Sequence, residues 1–229
     1  MRKFLVFLIF LLVVLVAADR GLHHAAQSEI AKRVSQQYEL ASEPEVTIGG
    51  FPFLTQFFGG EYSEINIVTG AMTVNDVQLE RVDATFTGVQ APLADLLSTP
   101  QVTAEQGQAK VMLPYSELQK RLPEGIVVET DNGTPRITGD LAVGGFSIPI
   151  ESDIEITIDG DTLTMTPTNV SAGGNQIDLG SVAERLSLTV AVPPLPFDFQ
   201  ITGVEALPNG VELSGEGSDI PITGGGGQG

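Results

Sequence analysis

Few side chains in this sequence have the types and spacing that chemistry requires. The only histidines, His23 and His24, are adjacent; on a helix they would face about 100° apart and cannot chelate one metal together. There is no cysteine, which removes thiolate catalysis, disulfides and a lipoprotein anchor. Glu151, Asp153 and Glu155 alternate with Ser152, Ile154 and Ile156, so a strand would carry three carboxylates on one face. A glycan hydrolase uses such pairs, but among 29 acidic residues some pair falls at a suitable separation by abundance alone, and a solvated face is the simpler reading. Asp159-Gly160-Asp161 lacks the other ligands of a calcium loop and reads as a hairpin turn. No G-x-S-x-G, Walker or dinucleotide motif occurs. These observations assign no catalytic residue, no metal site and no cofactor.

What remains is apolar. The stretch GGFPFLTQFFGG, Gly49 to Gly60, holds four of the eleven phenylalanines between paired glycines. Two readings stand side by side. Phe51, Phe53, Phe57 and Phe58 could be ordinary core, with Pro52 fixing an extended backbone and the glycines allowing bends, or they could form an apolar contact surface together with Leu54. The absence of tryptophan disfavours a sugar-stacking platform.

The elements that must position this cluster are legible in the periodicity. Arg2 and Lys3 precede fifteen uncharged residues, Phe4 to Ala18, the pattern of an export signal. Val16-Ala17-Ala18 is only a partial cleavage site, so removal and retention as an anchor through residues 4–18 both stay open. From Asp19 to Tyr38, Leu22, Ala26, Ile30, Val34 and Tyr38 follow at four-residue steps and predict an amphipathic helix with one apolar stripe.

Beyond Pro44 the alternation turns to period two. Strands are expected at 45–48, 63–68, 72–80, 82–87, 108–113, 126–129, 136–143, 146–158, 161–168, 186–192, 197–202 and 211–214. Hairpin corners are expected at Asp131-Asn132-Gly133, Asp159-Gly160-Asp161 and Pro208-Asn209-Gly210. Short helices are expected at 91–97, 113–122 and 180–186. The organisation is then a signal or anchor at 1–18, one α+β domain at 19–222, and a glycine-rich tail at 223–229 expected to be disordered.

Without Arg2 and Lys3, nine cationic residues face 29 acidic ones, and six of the nine lie beyond Tyr38. Such a domain repels phosphate backbones and has no basic stripe, so nucleic acid is excluded as a partner and any lipid contact must be mainly apolar.

The order of these features resembles the LmeA-like phospholipid-binding proteins of the actinobacterial cell envelope. The resemblance rests on the N-terminal signal or anchor, the helix through Glu29 and Val34, Ile48-Gly49-Gly50-Phe51-Pro52-Phe53-Leu54-Thr55-Gln56, Gly60-Glu61-Tyr62, the run Gly88 to Leu97, and Pro114-Tyr115-Ser116-Glu117-Leu118. It implies a TULIP-like fold, in which a highly curved antiparallel sheet wraps around a long N-terminal amphipathic helix, with short additional helices and an apolar tunnel for acyl chains. It also implies an exported, periplasmic or envelope protein at the outer face of the cytoplasmic membrane. The expected partner is a phospholipid, of phosphatidylinositol type if the protein supports lipomannan elongation, beside an envelope glycosyltransferase. A monomer is expected. On this reading Phe51, Phe53, Leu54, Phe57 and Phe58, with Leu22, Ile30 and Val34 of the helix, are the candidate lipid-binding residues. The competing readings are a scaffold that docks a glycosyltransferase or wall-assembly complex through the phenylalanines, and a carboxylate-dependent glycan enzyme.

Overall fold

A computed structural model describes residues 2–74, 76–92, 102–122, 124–131, 134–143, 146–172, 175–176, 187–192 and 199–222. The apolar run and the amphipathic stretch form one continuous helix, α1 (Arg2–Gln37). No proline interrupts it, and Gly21 is its one glycine. It ends where Glu39 takes a left-handed conformation (φ 49°) and Leu40 N–H donates back to the Ser35 carbonyl, closing the last turn. Of the expected stripe, Ala26, Ile30, Val34 and Tyr38 are half-buried, beside the buried Ala31, whereas Leu22 is exposed. The packing partners of α1 are β1 (Glu45–Ile48) and α2 (Phe53–Gly59).

Contacts divide the chain into two compact units. The first comprises 1–70, 83–108 and 217–229. In it β1 pairs antiparallel with β2 (Glu61–Thr69), Val46 opposite Ile67 and Ile48 opposite Ile65, and β1, which packs against α1, buries Val46 and Ile48. The hydrogen-bonded order continues from β2 to β5 (Arg81–Gln90), β6 (Thr103–Pro114) and β14 (Gly210–Pro221), with β13 (Gln200–Leu207) as the last strand.

The second unit comprises 71–82 and 109–216. It holds the small hairpin β3 (Met72–Val74) and β4 (Val77–Leu79), the short helix α3 (Tyr115–Gln119), and the antiparallel run β7 (Ile126–Asp131), β8 (Thr134–Val143), β9 (Phe146–Asp159) and β10 (Thr162–Ala172). Two short strands, β11 (Asn175–Gln176) and β12 (Leu188–Ala191), pair with opposite ends of β10. The β9–β10 register shifts between Thr168 and Ser171, where Asn169 has φ 52°, and a second shift lies in β13 between Ile201 and Gly203. Bulges of this kind bend a strand and increase its twist, which curls the antiparallel sheet. A long N-terminal helix, curled antiparallel strands and few further helices make this an α+β fold of the TULIP-like kind.

Two expectations need adjusting. The strand expected at 72–80 is a hairpin, because Asp76 adopts φ 64°, a conformation that short polar residues tolerate, and folds the run back on itself. The helix expected at 113–122 is regular only over Tyr115–Gln119; Pro114 precedes it as the N-cap, and the chain continues to Leu122 in i+3 turns. The corners at 131–134, 159–162 and 207–210 are hairpins as expected, since Asp131 pairs with Thr134, Asp159 with Thr162, and Leu207 with Gly210. Residues 93–97 of the helix expected at 91–97, the helix expected at 180–186, the proline-rich 193–197 and the tail 223–229 lie outside the described residues.

Candidate functional site

The GGFPFLTQFFGG stretch is not an extended plug but a tight loop and a short helix built against α1. Gly49 N–H donates to the Glu64 carbonyl at 2.8 Å, which ties the end of β1 to β2. Gly50 has φ 88°, and a Cβ there would meet the Gln56 amide at 2.7 Å. That amide needs the space, because Gln56 Nε2 donates to the Gly49 carbonyl at 3.0 Å while its Oε1 accepts Ser63 N–H at 3.0 Å. One glutamine thus closes the loop at both ends. Thr55 Oγ1 donates to the Pro52 carbonyl at 2.7 Å across the first turn. Gly60 ends α2 in the left-handed region (φ 72°), where a Cβ would collide with Pro92 Cα at 2.8 Å.

Two polar contacts pin the loop to α1. Asp19, 3% exposed, accepts Leu54 N–H on Oδ1 at 2.8 Å. Its Oδ2 lies 3.3 Å from Arg20 Nη2 in an ion pair. One turn on, the His23 Nε2 is 2.8 Å from the Ile48 carbonyl. A carboxylate at the start of a helix meets free N–H groups there, so Asp19 serves α2 from outside, where a capping side chain within the loop is absent.

These contacts sort the aromatics. Phe53 is 2% exposed and enclosed by His23 (ring centroids 5.4 Å apart), Phe57 (6.0 Å) and Tyr62 (6.2 Å). Burial raises the Tyr62 phenol above its ordinary value, so it stays neutral. Phe57 and Leu54 are half-buried. Phe51 and Phe58 point outward, 63% and 72% exposed, and Leu22 on α1 is half exposed as well. The Arg20 guanidinium sits 4.7 Å from the Phe51 ring centroid. Phe53 is therefore core, while Phe51 and Phe58 are exposed and not part of it. Ile30 and Val34 lie half-buried farther along α1.

The second unit offers a different apolar surface. Ile137, Ile150, Ile154, Leu163 and Met165 of the β7–β10 sheet pack with Val111, Leu113, Val211 and Leu213 of β6 and β14. Around this core Ile148, Ile156, Ile158, Leu188 and Val204 are only half-buried, leaving aliphatic surface incompletely covered. Two polar side chains lie within this framework. Ser152 Oγ lies 2.7 and 2.8 Å from the carbonyls of Asp153 and Thr168. Glu117 is 2% exposed and pairs with Lys120 at 2.5 Å and Arg121 at 3.2 Å; the Lys120 hydrogen bond first, then that of Arg121, holds its carboxyl below the usual range against the opposing effect of burial.

The carboxylate row on β9 is a paired, wet face. Arg136 Nε is 3.0 Å from Asp153 Oδ1, Arg136 Nη2 is 3.9 Å from Glu151, and Asn169 donates to Asp153 at 3.1 Å. Glu155 is exposed. Among the described residues no group of three His, Asp or Glu side chains could hold a metal ion. The sequence reading missed Asp19, Arg20, His23 and Gln56 as the residues that organise the loop, because their partners lie 25 to 35 residues away or, for Gln56, on both flanks of its own helix.

A protein-family model described as LmeA-like phospholipid-binding matches residues 17–216, and the chain belongs to that family. The match spans both units and begins at the junction of the apolar run with Asp19. Comparison with curated proteins and with solved structures gives no significant match.

Proposed function

We propose, with membership of a phospholipid-binding family as the premise, that residues 19–222 act as one lipid-binding domain of an exported envelope protein, which holds acyl chains on an apolar interior surface and catalyses no reaction. The observation that carries the proposal is the aliphatic surface of the second unit, where half-buried Ile148, Ile156, Ile158, Leu188 and Val204 pack against a buried core. Each methylene moved from water to such a surface contributes about 0.8 kcal/mol, so a dozen contribute roughly 10 kcal/mol. That offsets much of the cost of drawing a phospholipid from a bilayer without charged contacts, which suits a chain with so few cations.

On this proposal Phe51, Phe58 and Leu22 touch lipid directly, while Phe53, Leu54, Phe57, Ile30 and Val34 back them from the half-buried or buried side. A phosphatidylinositol-type headgroup, support of an envelope glycosyltransferase in lipomannan elongation, and action as a monomer belong to the proposal as well, on the strength of the family resemblance. The pairing of the Glu151–Asp153 row with Arg136 supports the non-catalytic reading.

Native mass spectrometry of the protein purified from envelope membranes tests the proposal. It should carry phospholipid mass through detergent exchange, and the double variant Ile156→Gln/Ile158→Gln should lose that mass with an unchanged circular dichroism spectrum. A lipid-free protein that also fails to take phospholipid from vesicles would overturn it.

A further inference from the structure

The N-terminal helix and the phenylalanine loop are joined in a way that bears on where the protein works. Every residue from Phe4 to Val16 is outward-facing, at 41% to 69% exposure, and the helix continues unbroken into the domain. Fifteen residues of apolar helix span about 22 Å, short of the ~30 Å hydrocarbon layer of a bilayer. A span that short is accommodated by thinning the bilayer and by drawing its flanks toward the hydrocarbon boundary. The flank here is Asp19, Arg20 and the loop they hold.

Asp19 is free to hold that loop only while the helix is intact. With residues 16–18 in place, the N–H groups of Arg20, Gly21 and Leu22 have helical acceptors, and the Asp19 carboxylate can turn to Leu54. Cleavage after Ala18 would leave those N–H groups open and make Asp19 the first residue, beside its own ammonium. An aspartate there caps its own helix, in competition with Leu54. The surface the loop presents also fits a membrane boundary: an Asp19–Arg20 pair with no net charge, an Arg20 guanidinium over the Phe51 ring, and an exposed Leu22 one turn beyond Ala18.

We infer that residues 2–18 are retained as an anchor, and that the Asp19–Leu54 contact holds Phe51 at the hydrocarbon boundary of the same membrane. The protein then takes phospholipid from the leaflet to which it is tethered and does not carry it freely through the periplasm. This deepens the phospholipid-binding reading and rests on it for the nature of the partner.

The chain contains no tryptophan, so Phe51→Trp in the full-length protein is a single-site reporter. In phosphatidylcholine–phosphatidylglycerol vesicles its emission should be blue-shifted and largely quenched by lipids brominated near the headgroup end of the acyl chain. Adding Asp19→Ala should shift the emission to the red and abolish most of the quenching, whereas Asp19→Asn, which keeps an acceptor oxygen for Leu54, should retain it; that second variant keeps the test valid if the alanine variant fails to fold. Intact mass of protein isolated from the envelope should include residues 2–18. A mature chain beginning at Asp19, or an unquenched Phe51→Trp reporter in the full-length protein, would overturn the inference. Quenching in a protein that carries no phospholipid by mass spectrometry would uphold the docking and strike the binding reading instead.

Discussion

The helix junction and the interior of the second unit are both apolar, yet they are held by different physics. At the junction four aromatic rings sit on a loop and short helix fixed by polar contacts, two of them from distant α1 residues, Asp19 to Leu54 and His23 to Ile48, and two from Gln56 to Gly49 and Ser63 on its flanks. The second unit uses branched aliphatics on antiparallel strands, and its buried polar groups are satisfied within the sheet or helix that carries them, Ser152 by the carbonyls of Asp153 and of Thr168 on the paired strand, Glu117 by the cations three and four residues on. Polar contacts fix a direction, so a junction built on them can aim a few exposed rings. Aliphatic packing is non-directional, so a surface built on it can accept acyl chains of varied length and position.

The largest effects should come where each region is fully enclosed. Phe53→Ala should cost about 3–5 kcal/mol and Leu163→Ala about 2–5 kcal/mol in denaturant unfolding, since both side chains are essentially inaccessible. If the two regions unfold as separate cooperative units, each variant should move a different transition, and a single shared transition would blur the comparison.

Next in size is the removal of a buried polar partner. Asp19→Ala strands the Leu54 N–H and should cost about 1–3 kcal/mol, whereas Ser152→Ala removes one hydroxyl donor shared between two carbonyls and should cost about 0.5–1.5 kcal/mol. Equal costs measured by the same unfolding experiment would mean that the junction depends on its polar latch no more than the interior does.

Acid should discriminate the regions further. The Glu117 carboxyl is held below its reference value of 4.5, so the stability it contributes is complete above that pH and is lost as pH falls through the lowered folded-state value. Glu117→Gln should flatten the acid limb of the second unit's stability profile. An unchanged limb in urea titrations across that range would remove Glu117 from the account.

The smallest effect on folding and the clearest on surface behaviour belongs to Phe58→Ser. With the ring 72% exposed, stability should change by no more than ~0.5 kcal/mol, while binding to phospholipid vesicles weakens. A large destabilisation would show that Phe58 is core.

Much of this was legible in the residues. Period-two alternation found β1, β5, β6 and the β7–β10 run, and the turn residues at 131–133, 159–161 and 208–210 placed their hairpins, because strand faces and positive-φ corners leave local marks. The 72–80 run was misleading: Met72 and Val74 alternate in one phase and Val77 and Leu79 in the other, and that slip at Asn75-Asp76 is the mark of the corner. In the candidate site the composition drew attention to twelve residues but could not tell enclosed rings from exposed ones. Phe51, Phe53, Phe57 and Phe58 are chemically identical, and what separates them is how the loop and α2 are held on α1, through the contacts of Asp19 and Gln56 that no local pattern encodes.

Photo-crosslinking tests the central claim most directly. Full-length protein equilibrated with a phospholipid carrying a diazirine near the end of one acyl chain would be irradiated, digested and mapped. The account predicts adducts on the half-buried aliphatics of the second unit, Ile148, Ile156, Ile158, Leu188 and Val204. Adducts confined to residues 4–22 and 51–58 would contradict it, for they would show a protein that touches the membrane and takes no lipid inside.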